Sequence, residues 1–187
     1  MPGVLKAILF TIIPYYYRIK VALYGILVDE EALAYVLHDS LFPEIVLRLG
    51  GANIGTNVRI HRWLILHESQ GSFRKLTIGN DVFLGKRVLI DLTDRVTIGN
   101  RCAIGMDVKI ITHVNVGDSE LAASYPPQHA PVEILDDAVV NWSAVINKGT
   151  EVGSRVVVLP GSVVSGILKD GQIWGGNPAR PVPQRVS

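Results

Sequence analysis

Aliphatic side chains recur at every sixth residue through most of this chain. From Ile134 the step meets Val140, Ile146, Val152, Val158 and Val164. Upstream it meets Ile54, Ile60 and Leu66, then Ile78, Leu84 and Ile90, then Ile98, Ile104 and Ile110. Ile, Leu and Val supply 62 of the 187 residues, so six hits in six arise by chance roughly once in 700 for a given phase. A period of six matches neither a helix face nor the longer units of propellers and helical solenoids. It fits short parallel strands joined by tight corners, three segments closing a coil and successive coils lying about 4.8 Å apart. One inward aliphatic per face fills the interior. Gly55, Gly79, Gly85, Gly99, Gly105 and Gly153 follow pulse residues, where either φ > 0 or close backbone approach is expected.

The rhythm breaks at His67–Lys75, at two extra residues near Asp94-Arg95, and over Thr112–Pro131, which opens on Thr-His and ends on Tyr-Pro-Pro-Gln-His-Ala-Pro. Loops projecting from a rigid coil are where sites are built. Upstream, Val4–Val28 is strongly apolar, but Pro14, Arg18 and Lys20 interrupt it, leaving no run of roughly 20 apolar residues to span a bilayer. Nor does a small-residue cleavage site follow it. Two readings stay open: a segment packed on the domain or a partner subunit, or an interfacial element on a membrane surface, which the Tyr15–Arg18 cluster also suits. Leu33, Val36, Leu37 and Leu41 recur at helical spacing after Asp29, and Pro43 restarts a second helix that ends near Arg48 before Gly50-Gly51. The organisation expected is a hydrophobic and helical extension over 1–50, a β-helix over 51–182 and a tail over 183–187.

Eighteen Lys+Arg against 17 Asp+Glu provide no basic face for nucleic acid. Cys102 is the only cysteine, which excludes an intrachain disulfide and a cysteine-cluster zinc site. His61 and His67 are six apart; that step moves to the next face, so they cannot share an ion, and no metal is expected.

The repeat, with Leu47–Ile60, Val96–Asn115 and the closing Gly175–Val182 (GGNPARPV), resembles the hexapeptide-repeat acetyltransferases, and is similar above all to the maltose and galactoside O-acetyltransferases and those of polysaccharide pathways. The resemblance implies an all-β, left-handed parallel β-helix with a protruding loop at about 112–131. It implies a cytoplasmic homotrimer with sites between subunits, acetyl-CoA as co-substrate and a carbohydrate acceptor. The N-terminus is then a candidate contact with the inner membrane face. His113 is implied as general base, suiting imidazole chemistry near neutral pH, and His129, at the loop exit, is a second candidate by likeness to serine acetyltransferases. Asp91 matches an acceptor-contacting carboxylate that could hold a substrate hydroxyl or orient an imidazole. The Trp142 amide matches the oxyanion donor, with Asn141 beside it among the substrate positions. Pro160, Ser165, Asn177, Pro178 and Arg180 match carrier contacts, Arg180 suiting a phosphate. Three motifs depart from the family: Phe83–Lys86 where an asparagine is usual, Val139-Val140-Asn141 for Trp-Ile-Gly, and Leu159-Pro160 for Gly-Ala. Transfer to serine or an amino sugar, and a scaffold impaired in catalysis, remain the alternatives.

Overall fold

The computed structural model describes residues 43–183. The Val4–Val28 segment, the helix expected after Asp29 and most of the tail lie outside the described residues. Within them, helix α1 (Pro43–Leu49) leads into the first coil. It ends in a two-bond C-cap: Ala52 N–H donates to Leu47 O (3.0 Å) and Gly51 N–H to Arg48 O (3.1 Å), with Gly51 at φ 97°. Such a cap satisfies carbonyls that the last helical turn leaves bare.

Five coils follow that each run along three faces, and a sixth that runs along the first two. Register partners on the first face are Ile54, Ile78, Ile98, Ile134, Val152 and Leu168. On the second they are Ile60, Leu84, Ile104, Val140, Val158 and Trp174. On the third they are Leu66, Ile90, Ile110, Ile146 and Val164. All coil-to-coil pairings are parallel; the chain closes with an antiparallel hairpin, Ile173–Gly176 against Ala179–Val182. The six-residue pulse is therefore the vertical register of a prism, and most of these side chains are fully buried. A second inward position lies two residues before many pulses and holds Val82, Val88, Cys102, Val108, Ala138, Ala144, Val156 and Ser162. These smaller residues fill the corners between the larger ones. Burial pushes the Cys102 thiol pKa up.

The glycines after the pulse serve close approach. A Cβ on Gly85 would lie 2.6 Å from the Met106 amide nitrogen, and one on Gly105 equally close to that of Trp142. Positive φ falls two residues later instead, on Asn57, Asp81, Arg87, Arg101, Asp107, Asp137, Ser143 and Arg155. At the corner between first and second faces, side chains of the next coil cap exposed amides: Asn80 Oδ1 accepts from Thr56 N–H (2.8 Å), Asn100 Oδ1 from Asn80 N–H (2.9 Å), and Asp136 Oδ1 from Asn100 N–H (2.8 Å). At the next corner, between second and third faces, Arg62, Lys86, Met106, Trp142 and Pro160 stand in one column, and among the described residues no side chain caps the Trp142 amide.

Every change of coil length falls at the remaining corner, between third and first faces. Ile54 to Ile78 is 24 residues, Ile78 to Ile98 is 20, and Ile98 to Ile134 is 36, against 18 from Ile134 to Val152. The last coil is two residues short, Val152 to Leu168 being 16, a contraction the pulse did not reveal. Truncating Ile104, fully buried mid-prism, to Ala should cost about 2–5 kcal/mol in urea unfolding, with an unchanged m-value.

Candidate functional site

His113 stands at the variable corner as the third coil leaves its third face. Its Nδ1 lies 2.6 Å from Asp91 Oδ2 and 2.9 Å from Thr93 Oγ1. Asp91 belongs to the coil before and has no exposed surface. Its Oδ2 also accepts from Thr112 N–H (2.7 Å), Thr112 Oγ1–H (2.8 Å) and His113 N–H (3.1 Å). Its Oδ1 accepts from Thr93 N–H (3.0 Å) and Thr93 Oγ1–H (2.8 Å). Burial by itself raises a carboxyl pKa, but the donors from Thr93, His113 and Thr112 outweigh it and hold Asp91 at about 2. An ionised Asp91 favours the tautomer that carries its proton on His113 Nδ1; the His113 side chain is 26% exposed.

Sequence reasoning left Asp91 between holding a substrate hydroxyl and orienting an imidazole. In the structure both its oxygens are engaged by Thr93, Thr112 and His113 and the side chain is fully buried, a geometry suited to orienting the imidazole.

A second pair flanks the first. His113–Val114 and Gln128–His129 pair antiparallel at the neck of the long loop, His113 opposite His129. His129 Nδ1 lies 2.7 Å from Asp94 Oδ2, with the His129 side chain 65% exposed. Burial opposes ionisation of Asp94, but His129 and the Arg95 N–H draw its pKa below the ordinary value. On the other side the His67 ring stacks on His113, centroids 5.9 Å apart, and its Nε2 lies 3.7 Å from Glu68 Oε1. Thr93, Asp94, Thr112 and His67 went unassigned in the sequence. The legible signal for the first two was the pair of extra residues at Asp94-Arg95, which carries the chain out of the prism beside Asp91.

The remaining candidates lie elsewhere. Trp142 is exposed at the corner between second and third faces, directly above Pro160; Gly161 N–H donates to Trp142 O (3.0 Å). Asn141 is engaged by its own wall, its Nδ2 donating to Val158 O (2.8 Å). Ser165 belongs to the variable corner, where its Oγ accepts from Asn147 Nδ2 (2.9 Å). Asn177 and Pro178 form the exposed tip of the terminal hairpin, and Arg180 is exposed on its return strand, opposite Gly175. His113 and Trp142 thus sit at opposite ends of one face, about six residues or roughly 20 Å of extended chain apart. Among the described residues no cluster of His, Cys, Asp and Glu could hold a metal ion, and no helix is long and apolar enough to cross a membrane.

This architecture covers most of a hexapeptide-repeat acetyltransferase from Vibrio cholerae, VCA0836, at 22% identity over 91% of each chain, TM-score 0.73. A galactoside acetyltransferase in complex with coenzyme A aligns at 20% identity over 89% of this chain and 81% of that one, TM-score 0.69. The fold is the left-handed parallel β-helix of the hexapeptide-repeat acetyltransferases. No family model matches the chain. A 2,3,4,5-tetrahydropyridine-2,6-dicarboxylate N-acetyltransferase from Staphylococcus aureus is 33% identical over 72 residues, 38% of this chain. The matched stretch spans only 30% of that relative's length.

Because Asp91 holds its proton less tightly in the fold than in the unfolded chain, where the ordinary value is 3.8, its stabilising contribution is complete above about pH 4. It is lost as pH falls through about 2. The stability gap between wild type and Asp91→Asn, measured by urea unfolding, should therefore be widest near pH 6 and shrink toward pH 2.

Proposed function

We propose that this chain is an acetyl-CoA-dependent O-acetyltransferase that acts on a hydroxyl of a sugar or polysaccharide precursor, as a homotrimer. The observation that carries the reading is the buried Asp91 carboxylate 2.6 Å from His113 Nδ1, which fixes the tautomer a general base needs. His113 Nε2 takes the acceptor hydroxyl proton as the oxygen attacks the thioester carbonyl. The tetrahedral oxyanion accepts a hydrogen bond from the uncapped Trp142 N–H of a neighbouring copy. Collapse breaks the C–S bond, and the departing CoA thiolate takes the proton back from His113. Pro160, Ser165, Asn177, Pro178 and Arg180 line the carrier path; Arg180 meets no carboxylate among the described residues, so its guanidinium is available for a phosphate.

What supports the trimer is what the faces turn outward. The first face shows Asn53, Thr77, Thr97, Glu133 and Glu151, with Ile167 in the last coil. The third shows Ile65, Leu89, Lys109, Val145 and Val163, a mostly aliphatic row suited to burial. The second also carries apolar residues, Phe83, Ala103, Val139 and Val157. Only a three-fold axis facing the third face, however, brings its two flanking corners together between copies. That arrangement sets His113 of one copy against the Trp142 column of the next. Trp142 with Met106, also exposed, then gives the apolar wall that the departed motif at Val139–Asn141 no longer supplies. An impaired scaffold is disfavoured by the intact His113–Asp91 pair.

Transfer to an amine is the second reading, favoured by the N-acetyltransferase relative. Thiol release with hydroxyl and amine acceptors, sugars and serine among them, decides between them. His113→Ala should lower kcat by about 10²–10⁴-fold while leaving thermal stabilisation by CoA intact; unchanged turnover would remove His113 from the mechanism. Val145→Glu should dissociate the assembly in sedimentation equilibrium and abolish turnover, whereas Thr97→Glu on the first face should do neither.

A further inference from the structure

The corner column that carries Trp142 continues upward into uncompensated positive charge. Above Trp142 stand Met106, then Lys86, then Arg62, one per coil, so Lys86 lies about 10 Å and Arg62 about 15 Å from Trp142 along the prism. Both side chains are exposed and meet no carboxylate among the described residues. Their neighbours differ: Arg87 is held by Asp107 through two 2.7 Å bonds, and Arg59 lies over the Phe83 ring at 5.6 Å on the second face, outside the column.

At the other corner of the third face, His113 occupies the height of the third coil and His67 that of the first, its ring stacked on His113 and 53% exposed. Resting on the reading above, copies related by an axis parallel to the prism meet height for height. His113 then faces Met106, with the carrier below, toward Pro160 and the terminal hairpin. The acceptor must enter from above. Its walls there are Lys86 and Arg62 of one copy and His67 of the next, with the Glu68 carboxylate beside His67.

We propose that this upper half of the crevice is an anion-binding subsite, and that the acceptor carries a phosphate or carboxylate about 10 Å from the hydroxyl that is acetylated. A guanidinium and an ammonium one coil apart, exposed and unpaired, suit a group with several acceptor oxygens.

The test is isothermal titration of uridine diphosphate, and separately of glucuronic acid, into the full-length protein saturated with CoA, so that the carrier's own phosphate site is filled. At least one of the two anions should bind, uridine diphosphate marking a phosphorylated acceptor and glucuronic acid an acidic sugar. Lys86→Gln and Arg62→Gln should each weaken that binding about tenfold or more, and Arg59→Gln should leave it unchanged. None of the three should alter CoA affinity. Absence of binding by both anions, or binding indifferent to Lys86 and Arg62, overturns the proposal. His113→Ala separates it from the catalytic reading: loss of turnover without anion binding spares the base and sinks the subsite, and anion binding with turnover retained does the reverse.

Discussion

Everything in this molecule hangs on one vertical contact: an inward aliphatic side chain resting on its counterpart in the next coil. Ile98 on Ile134, Ile104 on Val140 and Ile110 on Ile146 repeat the same stacking on three faces. Burying a side chain of this kind contributes about 1.5–3 kcal/mol, and backbone pairing between coils locks the spacing. Height along the prism thereby becomes a matter of counting residues. His113, Met106 and Trp142 have definite heights because the aliphatics beside them do.

The site is built from departures from that count. The excursion at His67–Lys75, the two extra residues at Asp94-Arg95 and the loop between Thr112 and Pro131 all leave from the corner between third and first faces, in successive coils. Each places polar residues outside the prism at that one edge: His67 from the first, Thr93 and Asp94 beside the second, His113 and His129 at the neck of the third. The corner between second and third faces keeps strict length and carries Arg62, Lys86, Met106 and Trp142 in a straight column. One edge carries imidazoles and carboxylates, the other an apolar stripe and, higher up, cations.

Much of this was legible before any coordinates. The pulse identified the prism and its inward residues, and its interruptions marked the loops. The reason for the post-pulse glycines was not legible, since a sequence does not say whether glycine answers to φ or to a neighbour's approach. At Gly85 and Gly105 it is approach, and the left-handed residues are Arg87 and Asp107. The environment of Asp91 was hidden as well. Its partners Thr93, Thr112 and His113 lie 2, 21 and 22 residues away, and only the fold shows that they exhaust both oxygens. The shortened last coil escaped because the turn at Gly166, with φ 81°, drops two residues without disturbing the aliphatic before it.

The sequence alone determined the period, the fold that a six-residue aliphatic repeat permits, and the residue types available for chemistry, because side-chain burial repeats with the backbone's own geometry. Only the tertiary structure decided which polar residues share an edge. Stacking coils sets residues 20 or more positions apart within hydrogen-bonding distance, and the lengths of three insertions at one corner determine which of them meet.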